Sequence, residues 1–464
     1  MLGETKRIWA IAGVASFLWT PAALSDTLEG SLVLAYQNNP TLNAQRASVR
    51  ATDEGVPQAL SGYRPRVTFN GSVGPQYTDS LTRSSTSRAT YTQLSGNMTP
   101  SNLGVTGTQT LFNGFQTPNR TRQAESQVQA ARETLRVTEQ ITLLNAVTAY
   151  MNLLRDSAIL DLQRRNVEVL QEQLRQTRDR FNVGEVTRTD VAQSESRLAA
   201  GRSQVLSAEA TYKASVATYR QVIGIEPGRL APGSPVDRFS PSTQGASIGV
   251  GTATHPAVTS AQYSVDAALL QVKVAEGALY PTLALQGNVQ QSYESSLLQL
   301  RTFNASAIAQ LTVPIYQGGA EYSLIRQAKE TLGQRRLDLD TARDQVRQSI
   351  VQAWGQLEAA KANIEATQAQ VQAAEIALNG VREEARVGQR TTLDVLNAQQ
   401  ELVNARVALV SAQRDRVVAS YTLLSAVGRL SPQVLGLRVP VYDANVHYQQ
   451  VRDVWAGMRT PDGR

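Results

Sequence analysis

The chain is 464 residues long, 42% hydrophobic and 18% charged, with a formal net charge of +6. A hydrophobic share of that size argues against wholesale disorder, and the length allows roughly three domains. With no cysteine and two isolated histidines, His255 and His447, the composition excludes disulfide frameworks, thiolate metal sites, a cysteine nucleophile and a lipidated N-terminal cysteine; it predicts neither metal nor cofactor and leans away from an enzyme.

At the N-terminus, Lys6 and Arg7 precede a short apolar run over residues 8–18, then Pro21 and the small residues Ala22, Ala23 and Ser25. That order predicts a secretory signal over 1–25, cleaved after Ser25 or after Ala23. The run is well short of the roughly 20 residues a spanning helix needs. No later apolar run reaches that length, so any crossing of a membrane is expected as strands.

Between residues 65 and 114 the pattern is strict alternation. Val67, Phe69, Val73 and Tyr77 fall on one side; Arg66, Thr68, Asn70, Ser72, Gln76 and Thr78 fall on the other. This predicts a strand with one apolar and one polar face. A return strand is expected over about 103–112, joined to the first by a long polar connection over 80–100. The pattern predicts a hairpin at about 66–112.

From 118 to 183 the composition turns to Ala, Gln, Glu, Arg, Leu and Val, with Pro118 at a first helical turn and Gly184 at a helix stop. A helix of that length is a rod of about 100 Å, far longer than a compact domain holds. Val167, Leu170, Leu174, Thr177 and Phe181 are spaced 3 and 4 apart, a coiled-coil seam. Arg164, Arg165, Arg175, Arg178 and Arg180 share these turns with Glu168, Glu172 and Asp179. The charges are mixed along a solvated face, which argues against nucleic acid as a partner.

The same programme then recurs. Val183, Gly184, Thr187, Asp190 and Val191 reappear 204 positions later as Val387, Gly388, Thr391, Asp394 and Val395. The mature chain is therefore read as a first repeat over 26–230, a Pro/Gly/Ser linker over 231–251, a second repeat over 252–432 and a polar tail over 433–464. The second repeat carries its own hairpin at about 282–315, with Leu283, Leu285, Val289 and Tyr293 alternating against Thr282, Gln286, Asn288, Gln290 and Ser292. Its connection is predicted over 294–301. A second long helix is predicted over 320–387, and Val395, Ala398, Leu402, Ala405, Leu409 and Ala412 continue the seam after its turn.

Aromatics near the strand ends, among them Tyr63, Phe112, Tyr280 and Tyr316 at one and Tyr77, Tyr293 and Phe303 at the other, match the girdles of outer-membrane barrels. On strand pattern alone a soluble amphipathic sheet packed on a helix fits as well; the export signal and the repeat favour the barrel. Four strands cannot close a transmembrane barrel, because an open edge in lipid leaves backbone groups unpaired. Two copies would supply eight strands and three would supply twelve.

Two repeats of helix, strand hairpin, long helix, Val-Gly-x-x-x-Thr tip with Asp three positions on, and return helix resemble TolC and the outer-membrane components of type I secretion and tripartite efflux systems. The resemblance implies a mixed α and β membrane protein: a homotrimer with a twelve-stranded β-barrel, four strands per chain, continued by a long periplasmic α-helical coiled-coil barrel. It implies docking onto a periplasmic adaptor protein and an inner-membrane pump of the RND, ABC or MFS type, with outer-membrane lipid around the strands. It also carries over residue roles. Thr189 and Asp190 on one side and Arg390 on the other match the links that hold the periplasmic end shut. Ala385 stands where the family has a tyrosine partner of the same aspartate. Asp394 matches the outer of two aspartate rings in the pore, and Asn397 replaces the second. Val183, Gly184, Thr187, Val387, Gly388 and Thr391 match the adaptor-docking tips. From the residues alone, Asp190 and Asp394 are also expected as caps of the return helices, a role compatible with gating. The other exported reading is a structural or adhesive coiled-coil fibre.

Overall fold

The computed structural model describes residues 27–83 and 91–463; the expected export signal lies outside them. The chain opens with helices α1 (Leu28–Asn38) and α2 (Pro40–Asp53). Asn39 between them caps α2, its side-chain oxygen accepting from the Thr41 and Leu42 amides, while Pro40 takes the first helical position. After α3 (Gly55–Leu60) come the strands β1 (Arg66–Val73), β2 (Gln76–Arg83), β3 (Tyr91–Met98) and β4 (Ser101–Asn113). The rod α4 (Gln116–Asn182) and its return α5 (Arg188–Ile223) complete the first set. The second set is α6 (Gln244–Thr254), α7 (Pro256–Gly277), β5 (Thr282–Ser296), β6 (Gln299–Thr312), α8 (Ala320–Arg386) and α9 (Thr392–Ala426), followed by a short α10 (Ala444–Val451).

The four-stranded antiparallel sheet runs β1-β4-β5-β6, so the two hairpins lie side by side through β4 and β5, and β1 and β6 are its open edges. The pairing aligns the alternation across strands. Phe69 faces Val105, which faces Val289, which faces Ala305; one position along, Thr106 faces Asn288, which faces Ser306. One face is therefore mainly apolar, interrupted by Gln109 and Gln291, and the other mainly polar, with the Thr106 hydroxyl and Asn288 amide oxygen 3.1 Å apart. The apolar face is exposed on the single chain, Val67, Phe69 and Val73 among its residues.

The connection expected as a polar loop over 80–100 is largely a second ribbon, β2 paired with β3. Besides the backbone ladder, Gln93 Nε2 donates across it to Asp79 at 3.0 Å and Ser80 Oγ to the Leu94 carbonyl at 3.3 Å. Pro75 and Pro100 separate this ribbon from the main sheet, since neither can donate to a ladder. In the second hairpin the ladder continues to Ser296 and Gln299, past the start of the connection expected at 294.

The main core lies where α1, α2, α4, α5 and α9 meet, around the fully buried Tyr36, Tyr150 and Tyr219. The Tyr150 hydroxyl donates to the Ala231 carbonyl at 2.6 Å, and the Val236 amide donates to Ser420 Oγ at 3.1 Å. Arg416 pairs with Asp237. The segment expected as a linker is thus tied into the core, and from Gln244 onward it is helix α6.

Of the stretch expected as a polar tail over 433–464, the part from Val434 through α10 is docked as well. Val434, Leu435, Leu437, Val439 and Tyr442 pack against the same core. On α10, His447 Nδ1 lies 3.0 Å from a carboxylate oxygen of the fully buried Asp53. Burial raises the Asp53 carboxyl above its ordinary range, and His447 opposes that.

Candidate functional site at the helical tips

The rods α4 and α8 are each 67 residues and end in the same turn. Gly184 and Gly388 adopt left-handed φ of 79° and 80°. In the first turn Glu185 N bonds Arg180 O at 2.9 Å, and in the second Gln389 N bonds Glu384 O at 2.9 Å. This helix-closing motif needs a residue without a Cβ at the glycine. Val183 and Val387 beside them are exposed.

The return helices start with matching capping boxes. Asp190 Oδ2 accepts from the Thr187 amide at 2.9 Å and the Thr187 hydroxyl at 2.7 Å, while the Asp190 amide donates to Thr187 Oγ1 at 3.3 Å. Asp394 and Thr391 repeat the set at 2.9, 2.9 and 3.2 Å. Each aspartate thus satisfies donors that an open helix end would leave bare. The Thr391 amide and hydroxyl, with a smaller contribution from Arg390, hold the Asp394 carboxyl below its ordinary range. Thr189 stands exposed in the first turn of α5.

The two tips face a common cleft of about 820 Å³, lined by Arg180, Thr187 and Asp190 from one hairpin and Ala385, Arg390 and Thr391 from the other. The structure therefore brings Asp190 and Arg390 to one space without the fork expected between them. Arg390 Nε instead donates to Glu384 at 2.8 Å, a partner six residues back in its own hairpin. That carboxylate also raises the guanidinium pKa. Local closure wins in the single chain because Glu384 lies in the last turn of α8, within reach of Arg390.

A different bond joins the hairpins. Arg197 Nη2 on α5 donates to Asn397 Oδ1 on α9 at 2.6 Å. Next to Asn397, the buried Leu396 packs with Leu170, Leu174 and Leu198, so α9 is seated against both helices of the first hairpin. Sequence reasoning named Asn397 but missed Arg197. The one available signal was a break in the repeat, because 204 positions beyond Arg197 stands Glu401. Within the hairpins a second correspondence was also missed: Arg178 pairs with Glu195 at 2.5 Å, and its repeat Arg382 donates to Gln399 at 3.0 Å.

Among the described residues no cluster of His, Asp and Glu is arranged to hold a metal ion, and no helix is long and apolar enough to cross a membrane. The arrangement is a set of exposed, individually weak charge contacts at the ends of two long levers. Exposed pairs of this kind are screened by solvent and salt, so none of them alone fixes the geometry of the tips.

Comparison with known proteins agrees with this architecture. The outer membrane efflux protein family profile matches residues 32–225 and 252–429. The outer membrane efflux protein BepC of Brucella suis biovar 1 is 45% identical over 444 residues, 96% of this chain and 94% of BepC. The alkaline protease secretion protein AprF of Pseudomonas aeruginosa is 26% identical over 409 residues, 86% of this chain and 82% of AprF. Of solved structures, the Campylobacter jejuni CmeC outer membrane channel superposes with a TM-score of 0.75 at 17% identity, covering 92% of this chain and 89% of that one. The strands accordingly lie in the outer membrane, where three four-stranded sheets close a twelve-stranded barrel, and the helical rods extend into the periplasm. The fibre reading finds no support in these matches, which name efflux and secretion proteins. The duplicated rods and tips, the open-edged sheet and the match along both repeats make this chain a member of the outer membrane efflux protein family.

Proposed function

We propose that the trimer is the exit duct of a tripartite exporter, receiving cargo from an inner-membrane pump of the RND, ABC or MFS type through a periplasmic adaptor, with no catalysis of its own. The observation that carries the proposal is the duplicated tip: Val183, Gly184 and Thr187 and their counterparts Val387, Gly388 and Thr391 present one exposed turn twice per chain. A glycine turn admits close backbone approach, which suits an adaptor. The relatives' names cover efflux and protease secretion, so small molecules and polypeptides are both cargo classes for this duct.

In this reading Arg390 is the exchangeable part of the gate. In the closed trimer it leaves Glu384 for Thr189 and Asp190 of a neighbouring protomer, and a charge-assisted fork replaces a local one. Arg197 and Asn397 hold the two hairpins of one chain together. Asp394 lines the pore near the axis, where three carboxylates attract cations; Asn397, neutral and engaged by Arg197, adds no second ring of charge. With alanine at 385 the latch has one link fewer than in the family, and the gate opens more easily.

Planar-bilayer conductance of the purified trimer tests the duct. Arg390→Glu is expected to raise resting conductance severalfold and to sensitise cells to vancomycin, because a carboxylate facing Asp190 replaces the guanidinium that makes the fork. Unchanged conductance and unchanged sensitivity together would count against the latch; a wild-type trimer that makes no hole would sink the duct.

A further inference from the structure

The docked C-terminal segment ends in a feature that the export reading does not use. Beyond α10 the chain reaches the foot of the barrel. Arg64, two residues before β1, donates from Nη1 to the Val454 carbonyl at 2.7 Å, and its guanidinium lies 4.8 Å from the centroid of the Trp455 ring. The neighbouring Tyr63 carbonyl accepts from Gln109 on β4 at 2.9 Å, which fixes this spot at the periplasmic end of the strands. The chain then reverses at Gly457, whose φ is 134°, and Asp462 returns to 3.8 Å from Arg50 on α2. Residues 452–459 thus form a loop whose apex stands level with the base of the sheet.

The apex is apolar and uncovered. Trp455 is 71% exposed and Met458 fully exposed, with the flanking Arg452 and Arg459 exposed as well. At the same level Tyr63, Phe115, Tyr280 and Tyr316 are all exposed on the chain. An indole with an Arg on its face, next to an aromatic girdle, suits the boundary between lipid tails and head groups. There the ring buries its apolar body, and the guanidinium stays free to meet phosphate.

We propose that residues 452–459 form a membrane-surface loop. Trp455 and Met458 enter the phospholipid interface on the periplasmic side of the outer membrane, and Arg64, Arg452 and Arg459 engage lipid phosphates. The occupant is phospholipid rather than protein because the apex continues the barrel's own aromatic belt and because Arg64, Arg452 and Arg459, against the single carboxylate of Asp453, leave its border net basic toward anionic head groups. The loop would fix the height and tilt of each subunit from outside the barrel, using the far end of the chain. The inference needs only the outer-membrane location of the strands.

Tryptophan content makes the test direct. Trp9 and Trp19 fall in the segment expected to be removed on export, which leaves Trp354, bonded to Glu358 within α8, and Trp455. The full-length Trp354→Phe and Trp455→Phe trimers are reconstituted in phosphatidylethanolamine and phosphatidylglycerol vesicles, with acyl chains either plain or brominated near the head group. The Trp354→Phe protein is expected to show blue-shifted emission that brominated lipid quenches and aqueous iodide does not; the Trp455→Phe protein is expected to ignore the bromine. Emission from Trp455 quenched by iodide alone would overturn the proposal, because the loop then faces water. Emission shielded from both quenchers would overturn it equally, because the indole is then buried between subunits. Conductance is read on the same vesicles: quenching by lipid without conductance counts against the duct and not against the loop.

Discussion

Asp394 illustrates how much one carboxylate settles at a helix end. Its oxygen accepts two hydrogen bonds from Thr391, and these hold its pKa down. A carboxyl whose folded pKa is depressed adds stability above its unfolded value and loses it as pH falls through the folded one. The amides of Asp394 and Val395 are therefore expected to keep constant hydrogen-exchange protection, corrected for intrinsic rates, from neutral pH down to about pH 4, and to lose it below. Asp394→Asn, which keeps an acceptor and removes the titration, should flatten the profile. Protection already falling between about pH 7 and 5 would assign the turn's order to another group. At this scale the sequence was half legible. The aspartates were expected as the caps themselves, but Thr187 and Thr391 take the N-cap and each Asp closes the box three residues on; Arg390 was read from its resemblance toward Asp190 and, in the single chain, takes Glu384. A nearby carboxylate in the same hairpin outcompetes a distant one unless a neighbouring subunit supplies the geometry.

Helices α4 and α5 show why small residues recur along the rods. Gly201 on α5 is buried, and a Cβ there would come within 2.9 Å of Leu170 Cδ1 and 3.4 Å of Val167 Cγ2. The two helices approach at that point because nothing projects between them. Gly201→Leu is expected to splay α5 from α4 at a cost of about 1 to 3 kcal/mol. The measurement is a thermal melt followed by helical circular dichroism, with Gly201→Ala as the milder comparison. If Gly201→Leu melted like the parent, Leu170 would have made room and the close approach would carry no weight. The rods and their seam were legible from a 3-and-4 spacing sustained over many turns. The β2-β3 ribbon was not, because residues 76–98 are polar on both faces and look like loop by composition. Their pairing rests on the backbone ladder and on cross-strand bonds such as Gln93 to Asp79, which form only once the hairpin closes.

Across the whole molecule, the aligned faces of the sheet decide which substitutions the membrane tolerates. Val105 lies between Phe69 and Val289 on the apolar face, and Thr106 lies beside Asn288 on the other. An arginine facing lipid near the bilayer middle costs about 2 to 4 kcal/mol, and one facing an aqueous lumen costs far less. Val105→Arg should sharply reduce trimer recovered from outer-membrane fractions on native gels. Thr106→Arg should assemble and change conductance instead. Equal losses from both would mean that the two faces do not divide lipid from lumen.

The sequence by itself determined the plan of the protein: two repeats, long rods, strands with one lipid-compatible face, and duplicated tips. These are periodic features, written locally and repeated often enough to exceed chance. Only the tertiary structure decided how the two hairpins are pinned by Arg197 and Asn397, how the segment around Asp237 enters the core, and how the C-terminal segment climbs past Asp53 to lay Trp455 at the foot of the barrel. Those contacts join residues roughly two hundred to four hundred positions apart. No period in the chain encodes them, since each depends on the packed helices bringing two unrelated side chains within a few ångströms of one another.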